Sequence, residues 1–230
     1  MHDNYYREHE KFYLAVDCII FGFDSEKLKL LLIKRNFDPC KGQRSLMGGF
    51  LKTRESLDNA AQRILHELTG LSDVYLEQLY VYGETYRDPG ERVVSVAYYA
   101  LIGVDKYQKE IGEKYHAHWF TVADMPDLVF DHNSMVDKAL RRLKRKTRIE
   151  PIGFELLPEK FTIPQLQKLY EAIHQQELDK RNFRKKILSL GVLNKLDEKD
   201  KEGSKKGAYF YEFNQEKYQV LQDRGMHFEI

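Results

Sequence analysis

A 23-residue segment at residues 49 to 71, GFLKTRESLDNAAQRILHELTGL, strongly constrains the fold because it encodes one amphipathic helix. Its apolar residues recur at helical spacing, at Leu57, Ala60, Ala61, Ile64, Leu65 and Leu68. Ser56 can cap the start of this helix and Gly70 can end it. The apolar stripe must be buried against another layer of structure, so the flanking sequence should supply a sheet.

Strand-like segments flank this helix. Tyr13 to Phe23 and residues 28 to 35 are rich in β-branched, aromatic and aliphatic residues and predict a hairpin. Further strands are predicted at 74–83 and 93–102, and a second helix at 134–147. Residues 1 to 150 therefore predict one mixed α/β domain.

The pattern changes after Pro151. Thr162 and Pro164 can open a short helix, and Asp179 and Gly191 can delimit another. Two strand-like segments, 192–196 and 208–213, follow with a polar tip between them. A helix-turn-helix followed by a hairpin predicts a winged helix over residues 151 to 230.

Charge is distributed unevenly along the chain. Residues 136 to 207 hold 19 Lys and Arg against 11 Asp and Glu, although the whole chain has a formal net charge of +1. A basic block beside an acidic remainder indicates that one part meets a polyanion. The two cysteines, Cys18 and Cys40, are too few for a disulfide framework. Without a signal peptide or a long apolar segment, we expect a cytoplasmic protein without a membrane association.

The helix segment resembles the Nudix box, G-x5-E-x7-R-E-U-x-E-E-x-G-U, in which U is a bulky aliphatic residue. The matches in register are Gly49, Glu55, Arg63, Leu65, Glu67, Gly70 and Leu71. Two glutamates of that box are replaced, by Ile64 and Leu68, on the same apolar stripe. Mg²⁺ requires several oxygen ligands, so we expect no metal, no cofactor and no enzymatic activity. The alternative is an unusual hydrolase that recruits other carboxylates, such as Glu55, Glu84 or Glu91.

The whole chain resembles the Nudix-related transcriptional regulators, in which a degenerate Nudix domain precedes a winged helix. This resemblance implies an α+β protein with a Nudix-like α/β/α sandwich that senses a small molecule and a winged helix that binds operator DNA. One branch of the family answers to L-arabinose and controls its catabolism, and another answers to ADP-ribose and controls NAD metabolism. The lost glutamates and the opening YLAVDCIIFGF favour the arabinose branch, with the ADP-ribose branch or an active nucleotide hydrolase as alternatives.

Asp17 is the most suggestive ligand-binding candidate, because it interrupts an apolar run and a buried carboxylate needs a partner. A sugar hydroxyl could be that partner, and so could a backbone amide or a lysine. The other ligand-binding candidates are Arg44, Gly48, Gly49, Glu67, Tyr82, Arg87 and His132.

The second short helix of the winged helix predicts a recognition helix, because basic residues lie opposite Phe183 and Ile187. Its DNA-binding candidates are Arg181, Asn182, Arg184, Lys185 and Lys186, with Lys205 and Lys206 at the wing tip. The basic run at 141–148 could also reach phosphates. Operator palindromes usually mirror two-fold proteins, so we expect a homodimer.

Overall fold

The computed structural model describes residues 5–104, 116–201 and 207–223. Seven strands of the described part form one mixed sheet. In chain order they are β1 (Tyr13–Phe23), β2 (Leu28–Lys34), β3 (Arg44–Ser45), β4 (Met47–Phe50), β5 (Glu77–Tyr82), β6 (Val93–Gly103) and β7 (Ala117–Thr121).

The centre of this sheet is β1, which is buried on both faces. It pairs with β6 in a parallel orientation over its full length, and it pairs with β2 and β4 in an antiparallel orientation. The predicted hairpin of β1 and β2 is confirmed. The strand β4 lies directly against the middle of β1, where Gly48 is the partner of Asp17.

One long helix covers each face of the sheet. The helix α1 (Leu57–Thr69) packs on the face that carries Val16, Cys18 and Ile20. The helix α2 (His132–Ile149) packs on the face that carries Ile19 and Phe21. The predicted α/β/α sandwich is therefore confirmed, because alternate residues of β1 contribute to opposite cores.

The ends of α1 follow the sequence prediction. The Ser56 hydroxyl accepts a hydrogen bond from the Asn59 amide at 3.2 Å, and Gly70 ends the helix with a φ of 79°. The helix α2 begins at His132, two residues before the predicted start at Ser134. The sequence could not show this, because Asp131 at its N-cap makes no side-chain capping bond and binds Arg87 instead.

The C-terminal part is a winged helix, as predicted. It contains β8 (Phe161–Thr162), α3 (Ile163–His174), α4 (Lys180–Ser189), β9 (Leu193–Asp200), β10 (Ala208–Phe213) and α5 (Gln215–Asp223). Thr162 and Gln165 form a capping box on α3, and Asp179 caps α4. The strand β9 extends four residues past its predicted end, and β8 and α5 were not predicted from the sequence.

The hydrophobic core under α2 continues into the winged helix. Phe154 in a short 3-10 turn, Leu169 and Tyr170 of α3, and Phe183 of α4 belong to the same buried cluster as Phe21 of β1. The division of the chain near residue 150 stays a prediction. Among the described residues, no helix combines the length and apolar character needed to cross a membrane.

Candidate effector cleft and DNA-binding surface

Asp17 of β1 lines a cleft and is only 5% exposed. Its Oδ2 accepts a hydrogen bond from the Ser95 hydroxyl of β6 at 2.5 Å. A Cβ atom at Gly48 would lie 2.2 Å from Asp17 Oδ1. Glycine at this position is therefore required by the close approach of the Asp17 carboxylate.

His132, the first residue of α2, faces the same carboxylate. Its Nε2 lies 3.6 Å from Asp17 Oδ1. Its Nδ1 accepts a hydrogen bond from the Leu46 amide at 3.2 Å, so the neutral ring carries its proton on Nε2, toward Asp17. Burial lowers the pKa of His132, although the charge of Asp17 opposes this shift. The ring is therefore a neutral hydrogen-bond donor near pH 7.

Arg87 connects the cleft to the start of α2. It donates two hydrogen bonds to Asp131, from Nε to Oδ2 at 2.9 Å and from Nη2 to Oδ1 at 2.7 Å. Its Nη2 also lies 3.8 Å from Asp17 Oδ2. Burial alone would lower the pKa of Arg87, but its hydrogen bonds to Asp131 raise it. The buried guanidinium therefore holds Asp17 and the N-terminus of α2 in one network.

The cleft encloses about 80 Å³. Arg35 lies beside it with its guanidinium carbon 4.3 Å from the Phe37 ring centre and 5.1 Å from that of Phe130. Arg35, Phe37, Asp88 and Phe130 also line the cleft and were not predicted from the sequence. Their signal was weak, since single basic and aromatic residues in loops are common on surfaces.

Five of the predicted ligand-binding residues lie together around this cleft. They are Asp17, Gly48, Gly49, Arg87 and His132. Their meeting depends on the pairing of β1 with β4 and on the position of α2, which sequence spacing does not give.

Three other predicted ligand-binding residues are not among the residues that line the cleft. Arg44 lies with its guanidinium carbon 4.9 Å from the Phe120 ring centre. Tyr82 packs under α2, with its hydroxyl 3.5 Å from the Ser134 carbonyl. Glu67 lies on α1, where Arg63 Nη1 donates to it at 3.0 Å. In the structure their side chains make these other contacts, and a role of the three residues in ligand binding stays a prediction.

The described residues near α1 do not fit a divalent cation. Glu55 receives two hydrogen bonds from Arg63, at 2.8 and 2.6 Å, and these hold the pKa of Glu55 at about 2. Ile64 is 2% exposed and packs against Gly49. A Cβ atom added at Gly49 would lie 3.1 Å from Ile64 Cγ1. Within the described ranges, no group of three His, Cys, Asp or Glu side chains could hold a metal ion. Glu55 and Glu67 are the box carboxylates that remain, and both are paired with Arg63, so this helix face offers fewer oxygen donors than a hard cation needs.

The helix α4 presents its basic residues to solvent. Phe183 and Ile187 are buried against α3, whereas Arg181, Asn182, Arg184 and Lys185 are exposed and Lys186 is partly exposed. This is the arrangement that a recognition helix needs. Lys205 and Lys206 lie outside the described residues.

A cluster of two lysines and a tyrosine lies on the wing. Lys195 and Lys199 of β9 place their ammonium groups 3.5 and 4.4 Å from the ring centre of Tyr209 on β10. The alternation of β9 could have indicated that two lysines four residues apart share a face. This wing cluster offers two positive charges on a rigid aromatic base.

Two residues of the basic run on α2 make hydrogen bonds to other parts of the protein. Lys144 Nζ donates to Gln175 Oε1 at 2.8 Å, and Lys146 Nζ donates to Glu77 Oε2 at 2.5 Å. Each of these bonds ties α2 to a neighbouring element, and the prediction that the two lysines reach phosphates stays a prediction.

Comparison with known proteins covers both halves of the chain. Residues 11–148 match the model of the NUDIX domain, and residues 153–213 match that of the NrtR DNA-binding winged helix domain. The chain is 37% identical over 209 residues to the ADPR responsive transcriptional repressor NtrR of Acinetobacter baylyi, which covers 89% of this chain and 83% of that protein.

Solved structures give the same result. Shewanella oneidensis NrtR complexed with a 27mer DNA has a TM-score of 0.79 at 30% identity, and the match covers 90% of this chain and 95% of that one. The NUDIX domain of the same NrtR complexed with ADP ribose has a TM-score of 0.53 at 32% identity, over 62% of this chain and 99% of that one. These matches support the predicted regulator architecture and lend no support to the arabinose branch. The chain belongs to the NrtR family, in which a NUDIX domain is followed by a DNA-binding winged helix domain.

Proposed function

We propose that this protein is a transcriptional repressor whose affinity for operator DNA changes when ADP-ribose binds in the Asp17 cleft. The observation that carries the proposal is the convergence of Asp17, Arg87 and His132 at the start of α2. This replaces L-arabinose with ADP-ribose as the effector, because a repressor named as ADPR responsive and an ADP-ribose complex are both relatives of at least 30% identity.

The chemistry of the cleft suits such a ligand. Ribose hydroxyls can donate to the Asp17 carboxylate, and the Arg35 guanidinium can pair with a diphosphate. The enclosed 80 Å³ has room for about one sugar or phosphate group. The remainder would lie on the open side against Phe37 and Phe50, which are 55% and 54% exposed.

The helix α2 offers a physical connection between ligand and DNA. Its first residue, His132, lines the cleft, and its N-cap Asp131 binds Arg87. In its C-terminal half, Lys144 contacts Gln175 at the end of α3 and Thr147 contacts His174. A ligand changes DNA affinity only through its different affinity for two domain arrangements, typically by about 5- to 150-fold. We propose that α2 transmits this difference.

Titration calorimetry with ADP-ribose tests the effector, and fluorescence anisotropy with a duplex selected by the protein from a random library tests the coupling. We expect ADP-ribose to bind and to change the affinity for the selected duplex at least fivefold. Arg35→Ala should weaken ADP-ribose binding, whereas Arg54→Ala, at an exposed arginine outside the cleft, should leave it unchanged. Binding of L-arabinose without ADP-ribose binding would refute the proposed effector.

We also propose that the protein lacks hydrolase activity, because the donor set on α1 does not fit a metal. Membership of the NUDIX family favours the alternative, in which the protein is a hydrolase. Incubation of ADP-ribose with the protein and Mg²⁺ or Mn²⁺ should leave the ligand intact. Turnover at ordinary enzymatic rates, abolished by Glu67→Gln, would show an enzyme instead. The homodimer remains a proposal that sedimentation equilibrium can test.

A further inference from the structure

A second cavity lies where the sheet, α2 and the segment leading into the winged helix meet. It encloses about 360 Å³ and shares no lining residue with the Asp17 cleft. This volume is within the range of pockets that hold small organic ligands. The wall is formed by β5, β6 and the loop before β5 on one side, and by Lys146, Ile152 and Glu155 on the other. We call it the joint cavity.

The joint cavity contains a buried hydroxyl group. Tyr99 of β6 is 4% exposed, and its hydroxyl lies close to the Glu77 carboxylate. Burial, the nearby charge of Glu77 and a hydrogen bond to Glu77 raise the pKa of Tyr99, so the hydroxyl keeps its proton. The Tyr99 oxygen makes no other hydrogen bond within the described ranges, and its lone pairs can accept a hydrogen bond from a ligand.

The charges around the joint cavity favour a cation. Lys146 is the one basic residue among the described lining residues, and its Nζ is committed to Glu77 Oε2 at 2.5 Å. Asp73 and Glu155 add two further carboxylates. A phosphate or carboxylate ligand would be repelled here, whereas an ammonium or amidinium group would be attracted.

The rest of the lining favours an apolar body on that cation. Leu101 of β6 and Ile152 are partly buried aliphatic residues of the wall, and both pack against the core under α2. Tyr75 is 81% exposed at the same cavity and can stack on a positively charged group. We propose that the joint cavity binds a small organic cation with an aromatic or aliphatic body.

Such a ligand would contact both the sheet and the segment that leads into the winged helix. It would stabilise the arrangement of the two parts in which the cavity is formed. This inference does not rest on ADP-ribose binding, because the two sites share no residue. The joint cavity would then be a second small-molecule site that affects the arrangement of the same two parts of the chain.

The test uses benzamidine, a planar aromatic cation, and benzoate, an anion of similar size, as probes of the full chain. Titration followed by protein NMR should show saturable binding of benzamidine and none of benzoate. Tyr99→Phe should weaken benzamidine binding roughly two- to tenfold by removing one hydrogen bond. Glu155→Gln should weaken it roughly two- to fivefold, as expected for an exposed charge.

Glu159→Gln is the matched control, because Glu159 is an exposed carboxylate outside the cavity lining. Its benzamidine affinity should equal that of the wild type. Both test substitutions are conservative, and unchanged thermal unfolding profiles would confirm that the variants fold. The proposal is overturned if benzamidine does not bind, if benzoate binds equally well, or if neither test variant differs from Glu159→Gln.

Discussion

Thr147 of α2 and His174 of α3 meet across the joint between the two parts of the chain, with 3.0 Å between Thr147 Oγ1 and His174 Nε2. The Thr147 hydroxyl lies 3.0 Å from the carbonyls of both Leu143 and Lys144 and donates its proton within α2. Its oxygen therefore accepts the proton of His174 Nε2. The same helix holds His132 near Asp17 at its other end, so one rigid element touches both the cleft and the winged helix.

The unfolding free energy should fall as the pH drops below about 6.5. Burial lowers the pKa of His174 from its ordinary value of 6.5, and nearby Arg148 and Lys144 add to this shift. The unfolded chain therefore binds a proton at a higher pH than the folded one, so the contribution is complete above pH 6.5 and is lost as the pH falls toward the folded-state pKa. Burial also lowers the pKa of His132, so His132 likewise makes the free energy of unfolding fall at low pH.

Thermal unfolding of the wild type and of His174→Gln between pH 8 and pH 5 would measure this effect. The difference between the two melting curves should depend on pH below 6.5 and be constant above it. A pH-independent difference would show that His174 does not titrate differently in the folded and unfolded states.

Gly48→Ala should disturb the cleft. The added Cβ would lie 2.2 Å from Asp17 Oδ1, so the carboxylate must move away from Ser95. We expect a loss of roughly 1 to 3 kcal/mol in the free energy of unfolding, as for other overpacked sites, together with weaker effector binding. Gly83→Ala is the control, because a Cβ at that position meets no atom within 4 Å. Equal stability of the two variants in urea unfolding would contradict the close approach.

Ile64→Glu restores one glutamate of the Nudix box and should destabilise the protein rather than create a hydrolase. Ile64 is 2% exposed in the core under α1, so its replacement buries a charge without a partner. We expect a loss of roughly 3 to 5 kcal/mol. Asn59→Glu introduces the same charge at an exposed position of α1 and should be nearly neutral. Chemical unfolding would measure the stability of each variant, and a Mg²⁺-dependent turnover assay would measure its hydrolase activity. A stable, active Ile64→Glu variant would show that the expectation is wrong.

The recognition helix and the wing should make different contributions to DNA binding. Replacing Arg181 and Arg184 with Ala should reduce affinity for the selected duplex more than for random duplex, since base contacts specify sequence. Lys195→Ala should weaken both duplexes alike and reduce the salt slope by about 1, as loss of one phosphate contact does. Lys11→Ala, at an exposed lysine far from the winged helix in sequence, should change neither. Anisotropy titrations at several salt concentrations separate these outcomes.

Local sequence signals determined most of the elements. The capping residues Ser56, Thr162 and Asp179 begin their helices as predicted, because a capping bond involves residues only three positions apart. Strands with continuous apolar runs, such as β1, were equally clear. The start of α2 was misjudged because Asp131 is held by Arg87, 44 residues away in the chain. Short elements such as β3 and β8 have too few residues to show any periodicity.

The sequence by itself determined the two-part architecture, the loss of carboxylates at positions 64 and 68, and the basic face of α4, since each depends on periodicity or on residue identity. Only the tertiary structure decided which polar residues lie together at the cleft. Asp17, Gly48, Arg87 and His132 are distant in the chain and meet because β4 pairs with β1 and α2 begins beside them. It also separated Arg44, Glu67 and Tyr82 from that cleft and created the joint cavity. Long-range contacts of this kind arise from packing, which the order of residues along a single strand or helix does not specify.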